Sequence, residues 1–237
     1  MTSLISWWAG FGKLIPIGSR GLKKNCRSLT PEQGSGKAKM YSYYAAVKEF
    51  HIAFNQLAPD KPTKLTPQQL LGRMRLITEE LAELLTALDK KDIVETADAL
   101  GDLIYVTVGT YVAHGYNPEE LNDWLLHVTR KEVPIIRDAA KAITDKTPLC
   151  LEYIWKMYHL LSAYNLMDDT EVIGAMVITE LMLAAVLDLP IEKIFQQIHA
   201  SNMTKVGGRQ EGGKFIKPAT YKPVDLSWVK DYCKEVA

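Results

Sequence analysis

Ile77-Thr78-Glu79-Glu80-Leu81-Ala82-Glu83, followed fifteen residues later by Asp98-Ala99-Leu100-Gly101-Asp102, decides how this chain is read. Five carboxylates stand in two short clusters, each inside an apolar run of helical period. Residues three or four apart share a helix face, so Glu79 with Glu83, Glu80 with Glu83, and Asp98 with Asp102 each point one way. Leu76, Ile77, Leu81, Leu84, Leu100, Leu103 and Ile104 make both helices largely buried. Crowded acids on half-buried faces repel and lose solvation unless a cation compensates them. An all-oxygen ligand set suits a hard cation such as Mg²⁺, and a site of that kind handles phosphate. For the first cluster the competing reading is a solvated acidic face. The second cluster shifts the balance, because Asp is a poor helix-interior residue and no Lys or Arg lies between residues 92 and 129 to pair with it. The short Asp89-Lys90-Lys91-Asp92 turn folds the two helices into an antiparallel hairpin, across which the clusters can meet.

Working outward, the 237 residues suit one domain or two small ones, with 47% apolar residues and a net charge of zero. That balance argues against a general nucleic-acid binder, which shows a basic excess. Cys26, Cys150 and Cys233 are odd in number and far apart, which fits neither a disulfide framework nor a zinc pattern and favours a reducing compartment, the cytoplasm. No charge-free apolar run is long enough for a transmembrane span, so neither a membrane nor a nucleic-acid partner is expected. Residues 1–39 form a basic extension with Lys13, Arg20, Lys23, Lys24 and Arg27. A transit peptide, a disordered tail, or a natural start at Met40 each account for it.

Helical period runs from residue 41 almost without interruption, over about 41–57, 66–89, 92–114, 118–144, 149–166, 169–188 and 190–203. Pro118 and Pro190 fall at helix starts, where proline is tolerated, whereas Pro134 should kink or divide its segment. From Gly207 the chain is rich in Gly, Lys and Pro, and it reads as a closing loop over 207–237 that ends in a short helix at 225–235. Pro118 to His127 matches Pro190 to His199 at an offset of 72 residues. The same offset sets Leu151, Glu152, Trp155, Thr170 and Gly174 against Glu79, Glu80, Glu83, Asp98 and Asp102. The expected fold is therefore an all-α multi-helix bundle over 40–206, a tandem-duplicated pseudo-dimer. One copy spans about 65–131, and a degenerate copy spans about 137–205.

Three blocks together resemble the all-α nucleoside triphosphate pyrophosphohydrolase superfamily, which includes the MazG-like proteins and the dimeric dUTPases. They are similar above all to phage and bacterial phosphoribosyl-ATP pyrophosphohydrolase-like proteins. The blocks are Val47-Lys48-Glu49-Phe50-His51 with Phe54; Leu71 to Leu76 running into the acids and on to Val106; and Ile198-His199-Ala200-Ser201-Asn202-Met203-Thr204-Lys205, with Lys214, Lys217, Tyr221, Pro223 and Asp225 beyond. Ala99 departs from the superfamily's pattern, standing where a Glu is usual, and Asp98 or Glu95 is left to substitute.

The resemblance implies Mg²⁺-dependent (or Mn²⁺-dependent) hydrolysis of a nucleoside triphosphate, dUTP or another dNTP among the candidates, to the monophosphate and pyrophosphate. It implies Glu79, Glu80, Glu83, Asp98 and Asp102 as metal ligands, with Glu79, Glu80, Glu83 and Asp102 in the chemistry. Arg75, Asn202, Lys205, Arg209, Lys214 and Tyr221 are implied as substrate contacts. The alternative from a different class is a non-catalytic nucleotide sensor or partner-binding module on the same scaffold. The chain would act as a monomeric pseudo-dimer or as a homodimer, in the host cytoplasm if phage-encoded.

Overall fold

The computed structural model describes residues 42–167, 170–211 and 214–235. The basic extension expected at 1–39 lies outside the described residues. As expected, the protein is all-α in its framework: eight helices are described, together with one small hairpin.

Helix α1 (Tyr43–Ala53) is capped by Ser42, whose side chain accepts from the Ala45 amide. Helix α2 (Pro67–Asp89) begins at a capping box, Thr66 and Gln69 each satisfying the other's backbone, with Pro67 in the first turn. The turn that follows is tight. Lys91 takes a left-handed φ of 54°, and Asp92 then caps α3 (Ile93–Ala113) through the Val94 and Glu95 amides. The expected antiparallel hairpin is thus closed by local chemistry.

Helix α3 is the axle of the bundle. It packs on α1 and α2, and on α6 (Thr170–Val186), α7 (Ile191–Met203) and α8 (Val229–Glu235). From Ala99 to Ala113 it is buried everywhere except at Asp102 and Val106. A second hairpin joins α5 (Thr147–Met167) to α6. The third helices then cross over. Helix α4 (Pro118–Lys141), which follows the first hairpin, packs on α6 of the second, whereas α7, which follows the second, packs on α3 of the first. Where α7 crosses α3, a Cβ at Gly101 would overlap the Ile198 side chain, so the close approach requires glycine. Between the hairpins, the Thr107 hydroxyl donates to Glu180 Oε1 at 2.7 Å. Burial pushes the Glu180 carboxyl well above the usual carboxylate range, and the Thr107 hydrogen bond opposes that rise.

Two expectations need correction. Pro134 does not divide its segment, since α4 runs unbroken through it. The ring removes one backbone bond on an exposed turn, where water can satisfy the released carbonyl. The segment after Gly207 is not simply a loop. Gly207, at φ 90°, leads into an antiparallel pair, β1 (Arg209–Glu211) and β2 (Lys214–Ile216), with Arg209 opposite Ile216. No single helix among the described residues is long and apolar enough to cross a bilayer.

Candidate metal and nucleotide site

The α2–α3 seam brings all five acids into one electrostatic field, with Glu79 at its edge. Glu80 is half-buried, and its carboxyl is pushed up to about 8, first by burial and then by Asp102, Glu83, Asp98 and Glu79. Asp102 rises to about 7 through burial and the Asp98 charge, while Lys205 and Lys217 pull it back. Asp98 is raised by burial, Glu95 and Glu83, again opposed by Lys205. Glu83 is exposed at the mouth of this group. Glu79 stands apart. It turns outward and pairs with Arg75 at 3.4 Å, both largely exposed.

Whether these residues suit a divalent cation is decided by their oxygens. Glu80 Oε2 and Asp98 Oδ1 are buried with no hydrogen-bond partner. Buried polar atoms are almost always paired, and an orphaned carboxylate oxygen is costly unless a cation meets it. Carboxylate-only donors match Mg²⁺ or Mn²⁺ rather than a soft metal. Among the described residues, no group of three or more His, Cys, Asp or Glu side chains stands close enough together to hold a metal ion. The acids fit the ion by donor chemistry and by two orphaned oxygens, and not by a preformed coordination geometry.

The predicted substrate contacts divide. Lys205 reaches toward Asp98 and Asp102, is held by Asn202 Oδ1 at 2.6 Å, and lies 5.8 Å from the Tyr221 ring centre. Asn202 is buried and serves to aim that lysine. Tyr221 is placed by a staple: Ser201 Oγ donates to the Lys222 carbonyl at 2.7 Å, and the Lys222 amide donates to Thr204 Oγ1 at 2.9 Å. Arg209 and Lys214 lie in the paired strands, and their side chains are outside the described ones. Arg75 is on the outer face of α2, away from the seam.

Sequence reasoning missed three residues. Lys217, quoted above only within the third block, sits 4.2 Å from the Tyr221 ring centre and lowers Asp102. Arg73 and His51 converge over Gly109, two helical turns along the seam from the acids. A signal for Arg73 was present, since it stands seven residues before Glu80 and so shares its face. Beside the seam, the Tyr105 hydroxyl meets His199 Nδ1 at 3.0 Å and His199 Nε2 lies 3.5 Å from Glu49, so His199 belongs to a packed network.

Residues 47–127 match the family model described as Phosphoribosyl-ATP pyrophosphohydrolase. The expected resemblance to the all-α pyrophosphohydrolases is thereby shown for the segment that carries all five acids and Arg73. That class points to a nucleotide pyrophosphohydrolase. A curated relative, the uncharacterized protein L479 of Acanthamoeba polyphaga mimivirus, is 36% identical over 78 residues, 31% of this chain and 31% of that protein. The chain thus spans about a third of the length of the curated relative it matches. No solved structure matches the chain.

Proposed function

We propose that the protein hydrolyses a nucleoside triphosphate to the monophosphate and pyrophosphate, with Mg²⁺ held by Glu80, Glu83, Asp98 and Asp102. The observation that carries this is the pair of orphaned, buried carboxylate oxygens of Glu80 and Asp98, one on each helix of the α2–α3 seam within the family-matched segment. When bound, the ion neutralises phosphate oxygens and acidifies a water. In the reaction a water oxygen bonds to the α-phosphorus, the bond from that phosphorus to the bridging oxygen breaks, and pyrophosphate leaves. The water's proton passes to a carboxylate. Glu83, exposed at the mouth of the acidic set, is better placed for this than Glu79, which Arg75 holds on the outer face. Lys205, within the field of Asp98 and Asp102, and Lys217, within that of Asp102, offset charge on the leaving pyrophosphate. The staple from Ser201 and Thr204 to Lys222 fixes the segment that presents them.

The test is release of pyrophosphate and of orthophosphate from a panel of NTPs and dNTPs, with and without Mg²⁺. Mg²⁺-dependent pyrophosphate release is expected. A second reading, a nucleotide sensor, is favoured by one residue: Ala99 is buried where the resemblance expects a Glu. Mg²⁺-dependent nucleotide binding with no pyrophosphate released would establish the sensor and overturn the hydrolase.

A further inference from the structure

Arg73 is left unused by the reaction above. It reaches from α2 across to α3, where its Nε donates to Thr110 Oγ1 at 3.0 Å and its Nη2 to the Val106 carbonyl at 2.5 Å. Those two bonds occupy one side of the guanidinium fork. The other pair of parallel donors, at the Nη1/Nη2 end, is not engaged by any described hydrogen bond, and no described carboxylate forms an ion pair with Arg73. Burial lowers the guanidinium to about 10, which leaves it charged at neutral pH. The guanidinium is held rigid by two bonds, and Tyr164 supports its charge.

Its neighbours on α1 and α3 set the chemistry around it. A Cβ on Gly109 would stand 2.7 Å from Arg73 Nη2 and 3.0 Å from His51 Nε2, so glycine keeps the space where the two side chains meet. His51 Nδ1 faces the Leu57 carbonyl at 2.6 Å, which puts the ring proton there and leaves Nε2 an acceptor. Burial, with Arg73 nearby, lowers His51 to about 4, so no second cation repels the arginine. Phe50, the neighbour of His51, packs edge-on against Tyr105 at 5.5 Å between centroids.

Position along the seam says which part of a nucleotide arrives here. Arg73 and Gly109 stand seven residues from Glu80 and Asp102, two turns or about 10 Å along the same faces. The lysines lie with the acids, in the field of Asp98 and Asp102, so phosphate charge is met there and not at Arg73. We propose that Arg73 reads the nucleobase of the substrate with the free end of its guanidinium, and that the preferred base is guanine, whose O6/N7 edge offers two neighbouring acceptors. This rests on the acids holding the phosphates, as in the reading above. Uracil has no such adjacent acceptor pair, so the same geometry argues away from dUTP.

The decisive measurement is kcat/KM for GTP, dGTP, ATP, CTP and UTP with Mg²⁺, on the full chain and on Arg73→Lys. The wild type should favour guanine nucleotides over adenine by about ten- to a hundredfold. Arg73→Lys keeps the charge and loses the fork, so it should bring the ratio near parity, with the larger loss on the guanine nucleotides. Preference for another base in the wild type needs no variant to overturn the proposal. An equal slowing of every nucleotide and of tripolyphosphate by Arg73→Lys would also overturn it, as the mark of a phosphate contact. If no nucleotide is hydrolysed at all, the hydrolase reading has failed, and calorimetric binding of GMP, AMP and pyrophosphate still decides Arg73. A GMP preference that Arg73→Lys abolishes supports the base contact, and equal affinity for GMP and AMP removes it.

Discussion

The two helical hairpins are built alike and spend their buried polar positions in opposite ways. Across the 72-residue offset, Glu80 corresponds to Glu152, Glu83 to Trp155, and Asp102 to Gly174. In the first hairpin the acids share one seam, and Glu80 and Asp98 each keep an orphaned oxygen, whereas the second keeps one such oxygen, Glu180 Oε2, with no other acid acting on it. In the second, Glu152 is neutralised by Lys156 one turn away at 3.3 Å, and Trp124 from α4 lies on Gly174 where a side chain would otherwise stand. Trp155 is 66% exposed in place of a carboxylate. Repulsion is retained in one hairpin and removed in the other, which is the pattern expected when only one of them meets a cation.

The largest break in this comparison comes from the acids themselves. Glu83→Gln should abolish pyrophosphate release while far-UV circular dichroism stays native, because an exposed side chain contributes little to packing. Activity like the wild type's in that variant would remove the metal-site assignment.

Stability against pH sharpens the contrast next. Glu80 and Asp102 titrate near 8 and near 7 in the folded chain, against ordinary values of 4.5 and 3.8. Between those limits the folded state holds more protons than the unfolded one, so unfolding free energy falls as pH rises from about 4 to about 8 and then levels. Each group contributes a slope of about 1.4 kcal/mol per pH unit within its own window. Saturating Mg²⁺ should flatten that fall. Denaturant titrations at several pH values, with and without Mg²⁺, would show it. A profile that ignores Mg²⁺ would mean that the acids meet no cation.

Paired glycine substitutions come third. Gly101→Ala drives a Cβ into Ile198, and Gly174→Ala drives one into Trp124. Overpacking of this kind costs about 1–3 kcal/mol in either hairpin. Only Gly101→Ala displaces α7, the helix leading into Lys205, so only it should lower turnover beyond its loss of stability. Equal activity losses would mean that both hairpins support the site.

The acids and the hairpin were legible because helical spacing and a short charged turn are local properties. Asn202 and Lys205 were legible through the block they share. Arg75 drew attention and Arg73 did not, since two arginines in one turn look alike until their phase against Glu80 is worked out. The rest depends on partners distant in sequence. Glu180 reads as one more surface acid until α3 brings Thr107 to it at 2.7 Å. Pro134 was expected to break its helix, but α4 runs on through it. The crossing of α4 and α7 between hairpins is a tertiary arrangement that the offset hints at and packing completes.

Glu152→Gln is the smallest expected effect and the most direct probe of the second hairpin. Glu152 has Lys156 as its partner and no neighbouring acid at the positions of Asp98 and Asp102, which Thr170 and Gly174 fill. Removing one member of a half-exposed i,i+4 pair shifts stability by about 0.3–0.5 kcal/mol, and turnover should not change. The measurement is a side-by-side melting curve and pyrophosphate assay with Glu83→Gln. A loss of turnover comparable to that of Glu83→Gln would show that the second hairpin builds a site of its own, and the division of labour between the two would fall.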